Sequence, residues 1–174
     1  MQITKKLPLF IVTGASGVGK TSVCNVLFKN ETNYIVLDGD LLWNDSFDTP
    51  ENGFHSFRET WLKLCANISQ CGLPVVLCGA GVPEQFESCQ ARKLFSAIHY
   101  AAVTCSDSEL SRRMKISRGI NDERWLNDSL DFNGWLIENA GNTQPPTEIF
   151  DTTHQSLEET AALLEGWIIK KLKD

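Results

Sequence analysis

Residues Gly14-Ala15-Ser16-Gly17-Val18-Gly19-Lys20-Thr21 match the spacing G-x-x-x-x-G-K-[ST] in full, and a further hydroxyl, Ser22, follows. This pattern suits the phosphate chain of a nucleotide. Gly14, Gly17 and Gly19 can take positive φ and leave no Cβ between backbone N–H groups and phosphate oxygens. A helix starting near Lys20 would turn its free N–H groups and the positive end of its dipole toward the same oxygens. The Lys20 ammonium would reach the β- and γ-phosphates, and the Thr21 hydroxyl would hold a magnesium ion. The same letters also describe a glycine-rich strand-to-helix turn with no ligand. Here an apolar run precedes them and an amphipathic stretch follows, which is the context a phosphate cradle requires.

Asp38-Gly39-Asp40 closes the apolar run Tyr34-Ile-Val-Leu37. Two residues apart on an extended chain, both carboxylates point to one side. Asp38, nearer the phosphate loop, would serve the magnesium shell, and Asp40 would accept the proton of an attacking hydroxyl. Asp-Gly-Asp is also an ordinary turn sequence. Other phosphate-loop classes are excluded by what the chain lacks. It has no Asn-Lys-x-Asp base-reading motif and no Leu-Ser-Gly-Gly-Gln signature. Asp131-Phe-Asn-Gly134 spells D-x-x-G, but in a late helical stretch rather than at the end of the third strand.

The elements that must position these groups follow from hydrophobic patterning. Short apolar runs at Leu9–Thr13, Tyr34–Leu37, Pro74–Cys78, His99–Thr104 and Glu148–Phe150 alternate with helical stretches at Lys20–Asn30, Phe54–Cys71, Pro83–Phe95, Asp107–Arg118, Leu126–Asn139 and Ser156–Lys173. Residues 41–53 read as a loop. Strands separated by helices are parallel and covered on both faces. The expectation is a three-layer α/β sandwich with a five-stranded parallel sheet, in one domain over residues 1–174. A chain of 174 residues buries enough surface to need no staple.

Sixteen Lys and Arg against 22 Asp and Glu leave a net charge of −6. That balance argues against a nucleic-acid or anionic-membrane surface. No apolar run approaches the ~20 residues that span a bilayer. The lysines within Met1–Lys6 lead only into the first strand, which excludes a signal peptide. The six cysteines contain no C-x-x-C pair and read as free thiols in a reducing, cytoplasmic setting, with neither a disulfide nor a metal site. His55, His99 and His154 have no catalytic partner in sequence. Trp125, Trp135 and Trp167 fall on helical apolar faces and read as core.

In motif order and spacing, nearly the whole chain resembles the small P-loop kinases of the shikimate kinase, gluconate kinase and adenylylsulfate kinase type, relatives of the nucleoside monophosphate kinases. The resemblance implies a helical lid, here residues 112–140, and places the first carboxylate of Asp38-Gly-Asp40 on the metal side and the second on the acceptor side. Phe57-Arg58-Glu59 partly matches a Phe-Arg-x-x-Glu of shikimate kinases. Gly79 and Gly81 stand where related chains carry an acidic strand end, so metal ligation would rest on Thr21, Asp38, phosphate oxygens and water. The acceptor side would comprise Asp40, Trp43, Arg58, Gly79 and Gly81. Trp43 and Phe47 could stack on a sugar or base, though such loop aromatics more often pack, and Arg58 also reads as a helical arginine that is solvated or paired with Glu59.

In such kinases lid arginines close over the transferring phosphate. Arg118, followed by Gly119 as a hinge, is the candidate here; Arg112 or Arg113 would stack on adenine, and Asp151-Thr152-Thr153 would wrap the base. The cofactors implied are ATP and Mg2+, and the partners are ATP and a small-molecule acceptor, with no nucleic acid and no membrane. The implied activity moves the γ-phosphate of Mg-ATP to a hydroxyl of a small metabolite or nucleoside. Two alternatives stay open: a nucleoside monophosphate kinase, whose acceptor is a phosphate, and a nucleotide-binding sensor that transfers nothing.

Overall fold

A computed structural model describes residues 6–30 and 33–173 of the chain. β1 (Leu9–Thr13) has no polar side and is buried along its whole length, as a central parallel strand must be. It pairs with β3 (Val75–Cys78) on one side and β4 (Ile98–Thr104) on the other. β2 (Ile35–Asp38) and β5 (Thr147–Asp151) form the edges, all pairings are parallel, and the order is β2-β3-β1-β4-β5. Because the chain leaves β1 in one direction and later returns to its other flank, a crevice opens beyond the carboxyl ends of the strands.

Alternation along β1 separates the two layers of core. Phe10 and Val12 pack with Leu27 of α1 (Lys20–Asn30) and Leu164, Trp167 and Ile168 of α6 (Leu157–Lys173). Leu9 and Ile11 pack with Trp61 and Leu62 of α2 (His55–Ile68) and Phe86 of α3 (Pro83–Glu87). The remaining helices, α4 (Asp107–Arg112) and α5 (Glu123–Asn139), add Leu110, Leu126 and Leu136 to the buried set. The result is the expected α/β sandwich with a five-stranded parallel sheet.

Several expectations need correction. The helix foreseen over 83–95 stops at Glu87; Cys89 turns extended, and a 3-10 segment, Gln90–Leu94, follows. The helix foreseen over 107–118 ends as α-helix at Arg112 and continues as one wider π-type turn, Arg113–Ser117. The loop at 41–53 holds 3-10 turns at Asp45–Phe47 and Pro50–Asn52, with another at Gly39–Leu42. Asp38 and Asn44 cap two of them through their side chains. Cys24 and Cys78 form a disulfide, whereas Cys65, Cys71, Cys89 and Cys105 are free. Bringing α1 onto β3 juxtaposes two cysteines 54 residues apart, which no local spacing announces. Of the three tryptophans read as core only Trp167 is buried; Trp125 and Trp135 are 44% and 39% exposed. The amino-terminal reading rests on residues 1–5, which lie outside the described residues. Among the described residues no helix is long and apolar enough to cross a membrane.

Candidate active site

The turn from β1 into α1 forms the floor of a cavity of about 630 Å³ lined by residues 16–23, Asp40, Arg113, Arg118, Trp125 and Thr152. Gly17 has φ 88°, and a Cβ there would lie 2.6 Å from Met114 Cγ, so this position requires glycine on two counts. Gly14 is packed as closely, under the Val103 carbonyl, and Gly19 also has positive φ. Ala15 is buried and its carbonyl accepts a hydrogen bond from Lys20 Nζ at 3.0 Å. Burial lowers the Lys20 ammonium to about 8; the carboxylates of Asp40 and Asp38 oppose that shift and Arg118 adds to it. A cation held at such a cost at the mouth of a glycine-rich loop suits an anionic ligand. A magnesium ion takes oxygen donors. The exposed Thr21 hydroxyl and the Asp40 carboxylate border this cavity, so the donor chemistry fits. Asp38 stands behind them, with its Oδ1 accepting the Asp40 backbone N–H at 3.0 Å.

The segment Arg113–Arg118 reaches the glycine-rich loop through two arginines with different partners. Arg118 Nη1 donates to Ser16 Oγ at 3.1 Å, and its guanidinium lies 5.8 Å from the centre of the Trp125 ring. Arg113 is a fixed clamp: it donates to Glu109 Oε1 at 2.7 Å, Val18 O and Thr152 O at 2.8 Å, and Thr152 Oγ1 at 2.9 Å. It ties α4 to the glycine-rich loop and to the turn after β5. Arg112 does not line the cavity. Half exposed, it forms a two-pronged pair with Glu109, and Arg112 and then Arg113 hold the Glu109 carboxyl down to about 2. In the turn after β5, Thr152 is buried and borders the cavity, while Asp151 accepts from Thr153 and Thr153 accepts from the Ser106 N–H. Asp151 and Thr153 brace the wall without lining it.

A second cavity, about 360 Å³, opens on the other side of Asp40. Its aromatic walls include Trp43, Phe54, Phe57, Trp61 and Phe86, with Gly79 and Gly81 at the end of β3. Gly39 and Gly79 meet back to back, a Cβ on Gly79 lying 3.7 Å from Gly39 Cα, and the buried Trp61 indole N–H donates to Gly39 O at 2.8 Å. That bond fixes the turn carrying Asp40. Gly81 has φ 149°, and its Cβ would collide with Phe86 at 2.6 Å. Phe54 takes φ 60°, rare for a bulky residue, and thereby enters the cavity at the head of α2. Arg58 lines the same space, 7% exposed, 5.9 Å from the centre of the Phe86 ring. It does not pair with Glu59, which bonds Lys63 and the Ala91 N–H instead. Among the described residues no carboxylate pairs with Arg58, and its buried Nε lacks a hydrogen-bond partner.

Lys20, Thr21, Asp40, Arg113, Arg118 and Thr152 thus converge on one cavity, and Asp40, Trp43, Arg58, Gly79 and Gly81 on the other. Sequence reasoning missed Trp125, Trp61, Phe86 and Phe132 as wall residues. Only Trp125 offered a signal, since it stands in the first turn of a helix capped by Asp122, three residues after Gly119.

A family model described as AAA domain matches residues 11–131. No curated protein matches the chain in sequence. Solved structures of similar fold include a sugar kinase from Janibacter sp. HTCC2649, 15% identical, TM-score 0.68, covering 94% of this chain and 95% of that one. A gluconokinase from Sinorhizobium meliloti 1021 is 20% identical, TM-score 0.57, covering 95% and 99%. A shikimate kinase from Acinetobacter baumannii, in complex with shikimate, is 17% identical, TM-score 0.58, covering 95% and 94%. Identities this low establish a shared fold.

Proposed function

The chain belongs to the AAA domain family, and we propose that it moves the γ-phosphate of Mg-ATP to a hydroxyl of a small metabolite or nucleoside bearing one anionic group. The observation that carries this reading is the position of Asp40, which borders both the phosphate-loop cavity and the aromatic cavity. A carboxylate at that junction can accept the acceptor's hydroxyl proton as its oxygen bonds to phosphorus and the bridge to the β-phosphate breaks. Lys20 neutralises charge on the transferring group from below. Arg118 does so from the lid, and closure of the lid excludes water. Thr21, with Asp38 acting through water, would hold magnesium, which when bound screens the phosphate charges, and Asp40 stays free to take the proton. Arg113 orients the nucleotide wall, and Trp125 supplies an exposed ring beside it.

The acceptor class follows from the second cavity. Its aromatic walls favour a flat or apolar body, and Arg58, with which no carboxylate among the described residues pairs, calls for one carboxylate or similar anion. A phosphate acceptor, as in nucleoside monophosphate kinases, needs several arginines, and Arg58 is the one arginine bordering this cavity. The test is an ADP-release screen with mass detection of product. It starts from sugars, gluconate and shikimate, after the names of the structural neighbours, and adds nucleosides and aromatic hydroxy acids with and without the carboxylate. Phosphorylated product from hydroxy acids, lost in their neutral analogues, is the expected result. ADP release that no acceptor accelerates would make the protein a sensor instead.

A further inference from the structure

Outside the phosphate-loop cavity, three side chains with different donor atoms meet on the outer side of the acceptor wall. His55 and Glu59 lie four residues apart at the start of α2 and so share one helix face. Cys89 reaches them from the turn after α3. The imidazole nitrogen, a carboxylate oxygen and the thiol sulfur all lie within 4.8 Å of one another, and Cys89 Sγ is 4.0 Å from His55 Nδ1. Ligand atoms of a tetrahedral zinc stand about 3.5 Å apart, given bonds of about 2.0–2.3 Å. Small rotamer adjustments close that difference.

We propose that His55, Glu59 and Cys89 form a binding site for a borderline-soft divalent cation of the zinc type. The inference is independent of the phosphotransfer reading. The donor set selects the ion: nitrogen, oxygen and sulfur together suit zinc or cobalt, whereas magnesium wants oxygen alone. The surrounding groups are arranged as a ligand shell needs. Glu59 Oε2 accepts the Ala91 N–H at 3.2 Å, which fixes the carboxylate from behind. Its Oε1 faces Lys63 at 3.3 Å, and that side chain is 64% exposed, so a bound cation can take its place. Cys89 is buried, its S–H now directed to Gln85 O at 3.4 Å. Binding displaces the thiol proton to solvent and leaves a thiolate on the metal. The dication, the thiolate and the Glu59 carboxylate then sum to zero, one charge more positive than the free site, and departure of the exposed Lys63 ammonium from Glu59 offsets that added charge beside Arg58. His55 and Glu59 are only partly buried, which leaves a fourth coordination position open to water. A metal here would join α2 to the end of α3, two walls of the aromatic cavity.

The test uses the full chain, stripped with a chelator and titrated with Zn2+ by calorimetry and with Co2+ by absorption, magnesium being present throughout. The expected result is one Zn2+ per chain, and a near-ultraviolet thiolate-to-cobalt charge-transfer band. Cys89→Ser should abolish the band, and Cys89→Ser and His55→Gln should each weaken Zn2+ at least tenfold. Cys71→Ser, altering an exposed free thiol, should change neither. Circular dichroism checks that the variants fold, and His55→Gln, at a partly exposed position, keeps the test available should Cys89→Ser fail to do so. No uptake by the unmodified chain, or wild-type affinity in a folded His55→Gln or Cys89→Ser variant, overturns the proposal.

Discussion

Arg58→Met should make the protein more stable and a worse enzyme. Methionine keeps most of the volume and the flexible stem while removing the charge. In the unmodified protein the guanidinium is 7% exposed, its Nε lacks a partner among the described residues, and burial pulls its pKa down. A buried unsatisfied donor costs about 1–3 kcal/mol. Against this stands the lost contact with the Phe86 ring at 5.9 Å, worth about 0.5–2 kcal/mol. The balance is a gain of about 1 kcal/mol, which for a chain of this size raises Tm by roughly 2–4 °C. The variant should meanwhile lose a charge-assisted contact to the acceptor worth about 1.5–3 kcal/mol, a fall in kcat/KM of roughly 10- to 150-fold. Calorimetric melts without acceptor and steady-state kinetics with the best acceptor from the screen read the two effects separately. A Tm lowered by several degrees would show that Arg58 is structural, and an unchanged kcat/KM would remove the anionic acceptor class.

Asp40→Asn should lower kcat by about 10²–10⁴ with nucleotide binding nearly intact, measured by kinetics and calorimetry. Nucleotide affinity should be flat below about pH 7.5 and fall above pH 8, because the free Lys20 loses its proton near 8 and bound phosphates would hold it. Its folded pKa lies below the unfolded 10.5, so the ammonium's burial costs stability below pH 8, a cost that fades between pH 8 and 10.5. A constant affinity from pH 7 to 9.5 would contradict the placement of Lys20. Arg113→Ala removes the clamp on Val18, Thr152 and Glu109 and should destabilise by at least ~2 kcal/mol in urea unfolding. Arg112→Ala, exposed and paired with the same Glu109, should leave the unfolding midpoint almost unmoved.

The glycine-rich turn from β1 into α1 and the Asp38-Gly-Asp40 turn were legible because each lies in consecutive residues. β1, β3 and β4 were legible because parallel strands buried on both faces are continuous apolar runs, while the edge strands β2 and β5 showed only short apolar stretches. Which strand lies beside which was not, since β3 enters between β1 and β2 through contacts of long sequence separation. The same limit hid the Cys24–Cys78 bond and the approach of Cys89 to His55, 34 residues away. Trp125 and Trp135 were misread for another reason. A helical apolar face has one periodicity whether it meets the core, a cavity or solvent, and only tertiary packing distinguishes them. Arg58 was left between two readings because its partner had to be judged by exposure and reach, and the structure turns Glu59 away from it.

The bond between Cys24 and Cys78 makes the stretch from 24 to 78 a covalent macrocycle. β2, the Asp38–Asp40 turn, the 3-10 turns between Gly39 and Asn52, all of α2 and β3 lie inside this ring, so the lining of the aromatic cavity from Gly39 to Leu77 belongs to one closed loop. The Arg113–Ser117 turn, Arg118 and Thr152 lie outside it and meet the glycine-rich loop without a covalent tie, through the bonds of Arg113 to Val18 and Arg118 to Ser16 and the packing of Met114 on Gly17. On the proposed reading, nucleotide entry and product exit would open the uncrosslinked side, while the looped side, which carries Asp40 and Arg58, would keep its shape.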